Sequence, residues 1–259
     1  MMKMLQRLFD FYLNASLHIG FAVLALTNIT ELSCDIPSQA NLHFVIFFGT
    51  VVGYNILKYI DVSSQDSEWF GRNRAITFVS ALALLFGLYF FLLLETSIQL
   101  AFLSIGVVVF LYPFLRKFGL LKMFLVSFCI AFITVYIPHS LIEKLTFDFY
   151  LTFAQRFLII ISLLIPFEIS DSKTDAISLQ TLPQQFGIRL TKIFGMLLLI
   201  PFLMLEFFKS NSSYLVLGIS IVTVLFIHFS SVHKSKYYTS FWVESAPILW
   251  WFLLLVCNF

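Results

Sequence analysis

Long apolar runs and short polar breaks alternate along the chain. The runs are about 17–22 residues long, the length a helix needs to cross a hydrocarbon core of about 30 Å. They predict an all-α integral membrane protein, one bundle over 1–259 with about nine transmembrane helices. The spans are placed near 10–29, 42–60, 75–94, 97–115, 119–138, 149–168, 186–207, 212–230 and 240–258. A closed β-barrel would need alternation with period two, and runs such as Leu197–Leu205 have none. Only Glu95 and a few polar residues divide the third run from the fourth. Read as one helix of about 40 residues they would be too long for a single crossing, so a tight hairpin is expected at Leu94–Ser97. Kinks are expected at Pro166, Pro201 and Pro247.

Composition excludes a soluble domain of this size. Apolar residues make up 60% of the chain and charged ones 12%, which leaves too little polar surface to cover a water-exposed core. The 33 Phe residues can face lipid as readily as a core. Between the spans the longest stretches are 61–74 and 169–185. Met1–Arg7 is basic, as in a signal peptide. Asn14 and His18 interrupt the apolar stretch that follows, and no small-residue cleavage site comes after it. The segment is therefore read as the first span.

Charge sets the expected orientation. With the N-terminus inside, the inner segments hold 13 basic residues: Lys3, Arg7, Lys58, Arg72, Arg74, Arg116, Lys117, Lys122, Lys173, Arg189, Lys192, Lys234 and Lys236. The outer segments hold 2, Lys144 and Lys209. An eight-span arrangement would put part of the later basic loops outside. A bacterial inner membrane is expected, with a cytoplasmic N-terminus and an outer C-terminus. The net charge of +2 and the lack of a basic tract give no sign of a nucleic-acid partner. Cys34, Cys129 and Cys257 lie far apart and read as small apolar residues.

The candidate chemistry is concentrated after the sixth span, in Pro166-Phe-Glu168-Ile-Ser-Asp171-Ser-Lys-Thr-Asp175. Glu168, Asp171 and Asp175 stand at i, i+3 and i+7, which places three carboxylates on one helical face. Three like charges need a cation, and a hard divalent ion such as Mg²⁺, shared with a phosphate substrate, suits oxygen ligands. A solvated acidic helix end is the plainer reading of the same spacing. The run continues to Thr181-Leu182-Pro183 and Gly187, and Tyr112-Pro113-Phe-Leu-Arg116-Lys117 closes the fourth span.

Together these segments resemble the UbiA superfamily of intramembrane prenyltransferases. The acidic run looks like its second aspartate-rich motif, D-x-x-D-x-x-x-D leading into T-L-P and a Gly, with Glu168 in the first acidic position. The Tyr112 segment is similar to the family's Y-P-x-x-K-R with the basic pair exchanged. The helix count and loop order agree over essentially the whole chain.

The resemblance implies transfer of a polyprenyl group from its diphosphate to a lipophilic or aromatic acceptor with Mg²⁺. Glu168, Asp171 and Asp175 would be catalytic and metal-holding. Asn55, Lys58, Tyr112, Arg116, Lys117, Arg72 and Arg74 would bind substrate. The family's first motif, N-D-x-x-D-x-x-x-D, is not kept. Asn55 matches its Asn, Ile56, Tyr59 and Ser63 replace the acids, and Asp61 and Asp66 are out of register. Lys58, Arg72 or Arg74 would then contact phosphate where the family uses a second metal. The alternative is a relative without transferase chemistry that binds a lipid or isoprenoid, or serves as a subunit of a membrane complex. A transporter ranks last, because no inverted repeat is visible.

Ionisable residues within spans mark function or pairing. Arg156 and Glu206 lie at similar depth on sequential antiparallel spans, so an ion pair is expected. His18 is read as a hydrogen-bonded packing residue. Glu244 is placed where it could line the same cavity as Asp171.

Overall fold

The computed structural model describes residues 2–65, 73–115, 119–142, 146–172 and 180–257. Asp175, Arg72, Arg116 and Lys117 lie outside them, as does Asp66. The described residues form helices α1 (Met2–Asn14), α2 (Leu17–Ser33), α3 (Ala40–Gln65), α4 (Arg74–Leu92), α5 (Thr96–Leu115) and α6 (Gly119–Ala131). After them come α7 (Phe147–Asp171), α8 (Leu182–Leu197), α9 (Leu199–Glu206), α10 (Leu215–Phe229) and α11 (Ala246–Cys257). Seven segments are long and apolar enough to cross a membrane. With the bent pair α1–α2 taken as one span the described residues hold up to eight, and Leu215–Phe229 is a further, shorter apolar helix.

The first span differs from a continuous helix over 10–29. It breaks between Asn14 and Leu17, with a bend of 56°. Ser16 sits there in the left-handed region (φ 59°), a conformation a non-glycine residue adopts only at a cost. The part before the break is amphipathic. Met4, Leu5 and Leu8 are exposed, while Phe9 packs on Phe241 and the Asp10 carboxylate accepts hydrogen bonds from Lys236 and the Tyr237 hydroxyl.

Prolines leave their mark where a missing N–H breaks the ladder. The α8–α9 junction falls three residues before Pro201. π-helical turns, Phe132–Tyr136 and Tyr238–Val243, precede Pro138 and Pro247. α7 runs unbroken through Pro166. At the α4–α5 hairpin, Gln99 Nε2 donates to the carbonyls of Phe91 and Leu94, so orphan acceptors at the end of α4 are satisfied within the turn.

Two helices organise the packing. α2 contacts α3, α11 and the first π turn, and α7 contacts α6, α8, α9 and α10. One apolar cluster joins Leu26 of α2 to Ile159 of α7, Phe202, Ile219 and Trp250. A second joins Val23 to Leu42, Ile46, Ile98 and Ile137. A third joins Ile161 and Ile165 to Met123, Leu182 and Ile227. Lipid removes the hydrophobic drive between helices, so close van der Waals fit and small residues hold them together. Gly195 shows this at the α7–α8 contact: a Cβ there would stand 2.7 Å from Ile165 Cγ1. The Ser162 hydroxyl donates to the Gly195 carbonyl at the same crossing (3.1 Å). Between α3 and α4 the fit is aromatic, with Phe44 on Phe90 at 4.4 Å and Phe48 on Phe86 at 5.7 Å.

Candidate functional site

The polar residues at one end of the bundle come from elements far apart in sequence. Glu168 and Asp171 occupy the last turn of α7. Lys122 lies in the first turn of α6. Tyr54, Asn55, Lys58 and Tyr59 are on α3, Tyr112 is near the end of α5, and Glu244 follows the second π turn. Arg74 opens α4 and is exposed.

Glu168 and Asp171 differ in environment. Glu168 is buried, and its carboxylate meets the Lys122 ammonium at 2.8 Å. One acid of the predicted trio is thus already neutralised by a lysine 46 residues away in sequence, a partner the charge pattern showed only as an inner basic residue. Asp171, one turn on, is exposed. The Tyr54 hydroxyl lies in the electrostatic fields of Asp171, Glu244, Tyr112 and Tyr59, so α3, α5, α7 and the start of the last span converge on one region. Lys58 and Glu244 act on each other electrostatically in the same region, and the Lys58 ammonium stands 5.3 Å from the centre of the Tyr59 ring. Sequence reasoning missed Tyr54; its one signal was a place next to Asn55.

Asn55 is nearly inaccessible and its amide is filled by the protein. Its Nδ2 donates to the Ala15 carbonyl (3.1 Å) and Ser80 Oγ (2.9 Å), and its Oδ1 accepts from Ser16 Oγ. The Tyr59 hydroxyl donates to the Asn14 carbonyl (2.7 Å). Both side chains fasten the strained break between α1 and α2. His18 acts with them: Tyr12, Ser245 and the Phe241 carbonyl surround its ring, which stacks on Phe241.

The Thr181-Leu182-Pro183 segment begins α8, with the Thr181 N–H donating to Gln184 Oε1. Gly187 then takes φ +77°, a conformation that favours glycine, and the helix kinks before entering the bundle. Beside this segment an apolar groove of about 380 Å³ runs between α6, α7 and α8, lined by Met123, Phe124, Ile161, Leu182, Phe186 and Phe194. Met123 is next in sequence to Lys122, so the groove and the Lys122–Glu168 pair both draw on the start of α6.

No three His, Cys, Asp or Glu residues among the described residues are grouped to hold a metal ion. Asp171 alone would not form a resident site.

At the opposite end, Arg156 and Glu206 do not form the expected ion pair. Glu206 takes Gln155 Nε2 (2.9 Å), Lys209 Nζ (3.3 Å) and the Ser213 N–H (2.7 Å). Arg156 donates to Thr30 Oγ1 (3.0 Å) and lies over the Trp250 ring. Neighbouring residues on α7 point about 100° apart. Gln155 therefore takes the direction of α9, and Arg156 turns toward α2 and α11.

No protein-family model matches the chain, and no curated protein matches it. Among solved structures, a digeranylgeranylglyceryl phosphate synthase in membranes is similar, with a TM-score of 0.60 over 96% of this chain and 98% of that one, at 14% identity. The helices superpose over nearly the whole of both chains, so this chain has a UbiA-like fold.

Proposed function

We propose that the protein is a membrane prenyltransferase that moves a polyprenyl group from its diphosphate to a lipophilic or aromatic acceptor in a Mg²⁺-dependent reaction. The observation that carries this is the convergence of Asp171, Glu168–Lys122, Tyr54, Lys58 and Glu244 at one end of a UbiA-type bundle. The groove between α6, α7 and α8 would take the start of the prenyl chain, because its walls are apolar and Met123 and Leu182 in its lining belong to the opening turns of α6 and α8.

Reaction requires the allylic C–O bond to ionise and the diphosphate to depart with the electron pair. The acceptor then forms the new bond and gives up a proton. Asp171 and Asp175 would hold the shared magnesium, which when bound offsets charge on the departing diphosphate. Glu168 would hold Lys122 at the mouth of the groove, where an ammonium can meet a phosphate oxygen. Lys58, Arg74, Arg72, Arg116 and Lys117 would supply the remaining positive charge, with Tyr112 lining the chain's entry. Asn55 would act by fixing the α1–α2 break beside the site.

That saturated amide and the missing first acidic motif favour a second reading, a UbiA-fold protein that binds an isoprenoid or lipid without turning it over. The two separate in one assay. Purified protein is supplied with Mg²⁺ and labelled prenyl diphosphates of several chain lengths, with lipophilic acceptors present. Release of diphosphate that stops on chelation supports the transferase. Binding without release supports the second reading, and neither binding nor release refutes both.

A further inference from the structure

The cavity at the end opposite Asp171 is not explained by prenyl transfer. It holds about 400 Å³, and its lining includes Thr30, Arg156, Glu206, Lys209, Trp250 and Leu254. It opens among the helix ends formed by the close of α2, the α9–α10 connection and the close of α11.

Charges in this cavity do not cancel. Lys209 and Glu206 neutralise each other. Asp35, also on the lining, is exposed and forms no ion pair with Arg156. Arg156 is 2% exposed, and its guanidinium meets no carboxylate among the described residues. Its Nη1 is buried with no hydrogen-bond partner there. A guanidinium stays charged at any physiological pH, and an isolated buried charge is strongly disfavoured unless an opposite charge joins it. The wall around it is mixed. Thr30 and Gln155 are polar, whereas Ile29, Leu215 and Leu254 are apolar, so the ligand should carry an oxyanion on an apolar body.

The geometry points to a phosphate-binding site at Arg156, suited to the phosphate group of a lipid or to free inorganic phosphate. Arg156 would donate Nη1 to a phosphate oxygen while Nη2 keeps Thr30, and the apolar wall would receive the lipid's first carbons. The site lies at the other end of the bundle from Asp171, so it does not depend on the reading given under Proposed function.

Three probes test it on the full chain in a non-ionic detergent: dihexanoyl phosphatidylglycerol, inorganic phosphate, and dihexanoylglycerol, which lacks the phosphate. Binding is read from tryptophan fluorescence and from the shift in unfolding temperature. Saturable binding of the phosphatidylglycerol, at least tenfold tighter than dihexanoylglycerol, is expected. Inorganic phosphate competing with it would show that the phosphate group alone suffices; phosphatidylglycerol binding without such competition would assign the site to lipid. Arg156→Met should weaken binding at least tenfold, and Arg156→Lys should recover part of it. Should Arg156→Met fail to fold, the wild-type probes and Arg156→Lys still decide. Equal affinity for dihexanoylglycerol, no binding of either phosphate probe, or unchanged binding in Arg156→Met would overturn the proposal.

Discussion

Asp171→Asn should lower diphosphate release about 100-fold or more while leaving thermal stability in detergent nearly unchanged. The substitution keeps size and hydrogen-bonding shape and removes one negative charge. Asp171 is exposed at the last turn of α7, so little packing depends on it, and exposed substitutions of this kind usually change stability by only about 0.5 kcal/mol. Catalysis is different. Loss of one preorganised group that handles transition-state charge costs about 10²–10³-fold, and a carboxylate that shares a metal with substrate belongs to that class. Raising Mg²⁺ should recover part of the loss, because the variant is weakened in holding the ion. A variant with full activity at low Mg²⁺ would remove Asp171 from the site.

Lys122→Met should destabilise the fold by about 3 kcal/mol, and Lys122→Met with Glu168→Gln should recover most of that. Both partners are largely withdrawn from solvent, with 19% of the Lys122 side chain and 5% of the Glu168 side chain exposed. Breaking one side of such a pair is costly because a buried charge loses its counter-charge, whereas replacing both is often close to neutral. Unfolding of the four proteins in one detergent gives the coupling energy, expected at about 1–3 kcal/mol. Simple additivity would mean that Lys122 and Glu168 do not act as a pair. Activity separates a further role: if Lys122 also meets the phosphate, the double variant should regain stability but not turnover.

The long apolar helices were legible because span length is a property of the linear pattern. The α4–α5 hairpin followed from the same arithmetic, and Gln99 supplies its local reason. Events decided by tertiary contact were not legible. The polar Asn14 and His18 beside Ser16 do not by themselves mark a break, because Asn55 and Tyr59 hold it from α3 and His18 is held from across the bend. The π turns before Pro138 and Pro247 depend on how each helix relaxes around a lost N–H. Depth alone suggested Arg156 with Glu206, but depth does not fix direction around a helix, and Gln155 takes the place at Glu206. At the acidic end, the i, i+3 spacing located Glu168 and Asp171 on one face but could not show that Lys122 neutralises the first. Asn55 matched a motif position, yet its amide is filled within the protein.

Direct binding tests the central claim that the Asp171 end takes a prenyl diphosphate together with magnesium. Wild-type protein in detergent is titrated with a non-reacting prenyl thiodiphosphate, with Mg²⁺ or with chelator, and Asp171→Asn is run beside it. Saturable binding that weakens at least tenfold on chelation, and that weakens likewise in Asp171→Asn, is the predicted result. Absence of binding, or equal binding with and without Mg²⁺ and in the variant, would contradict it.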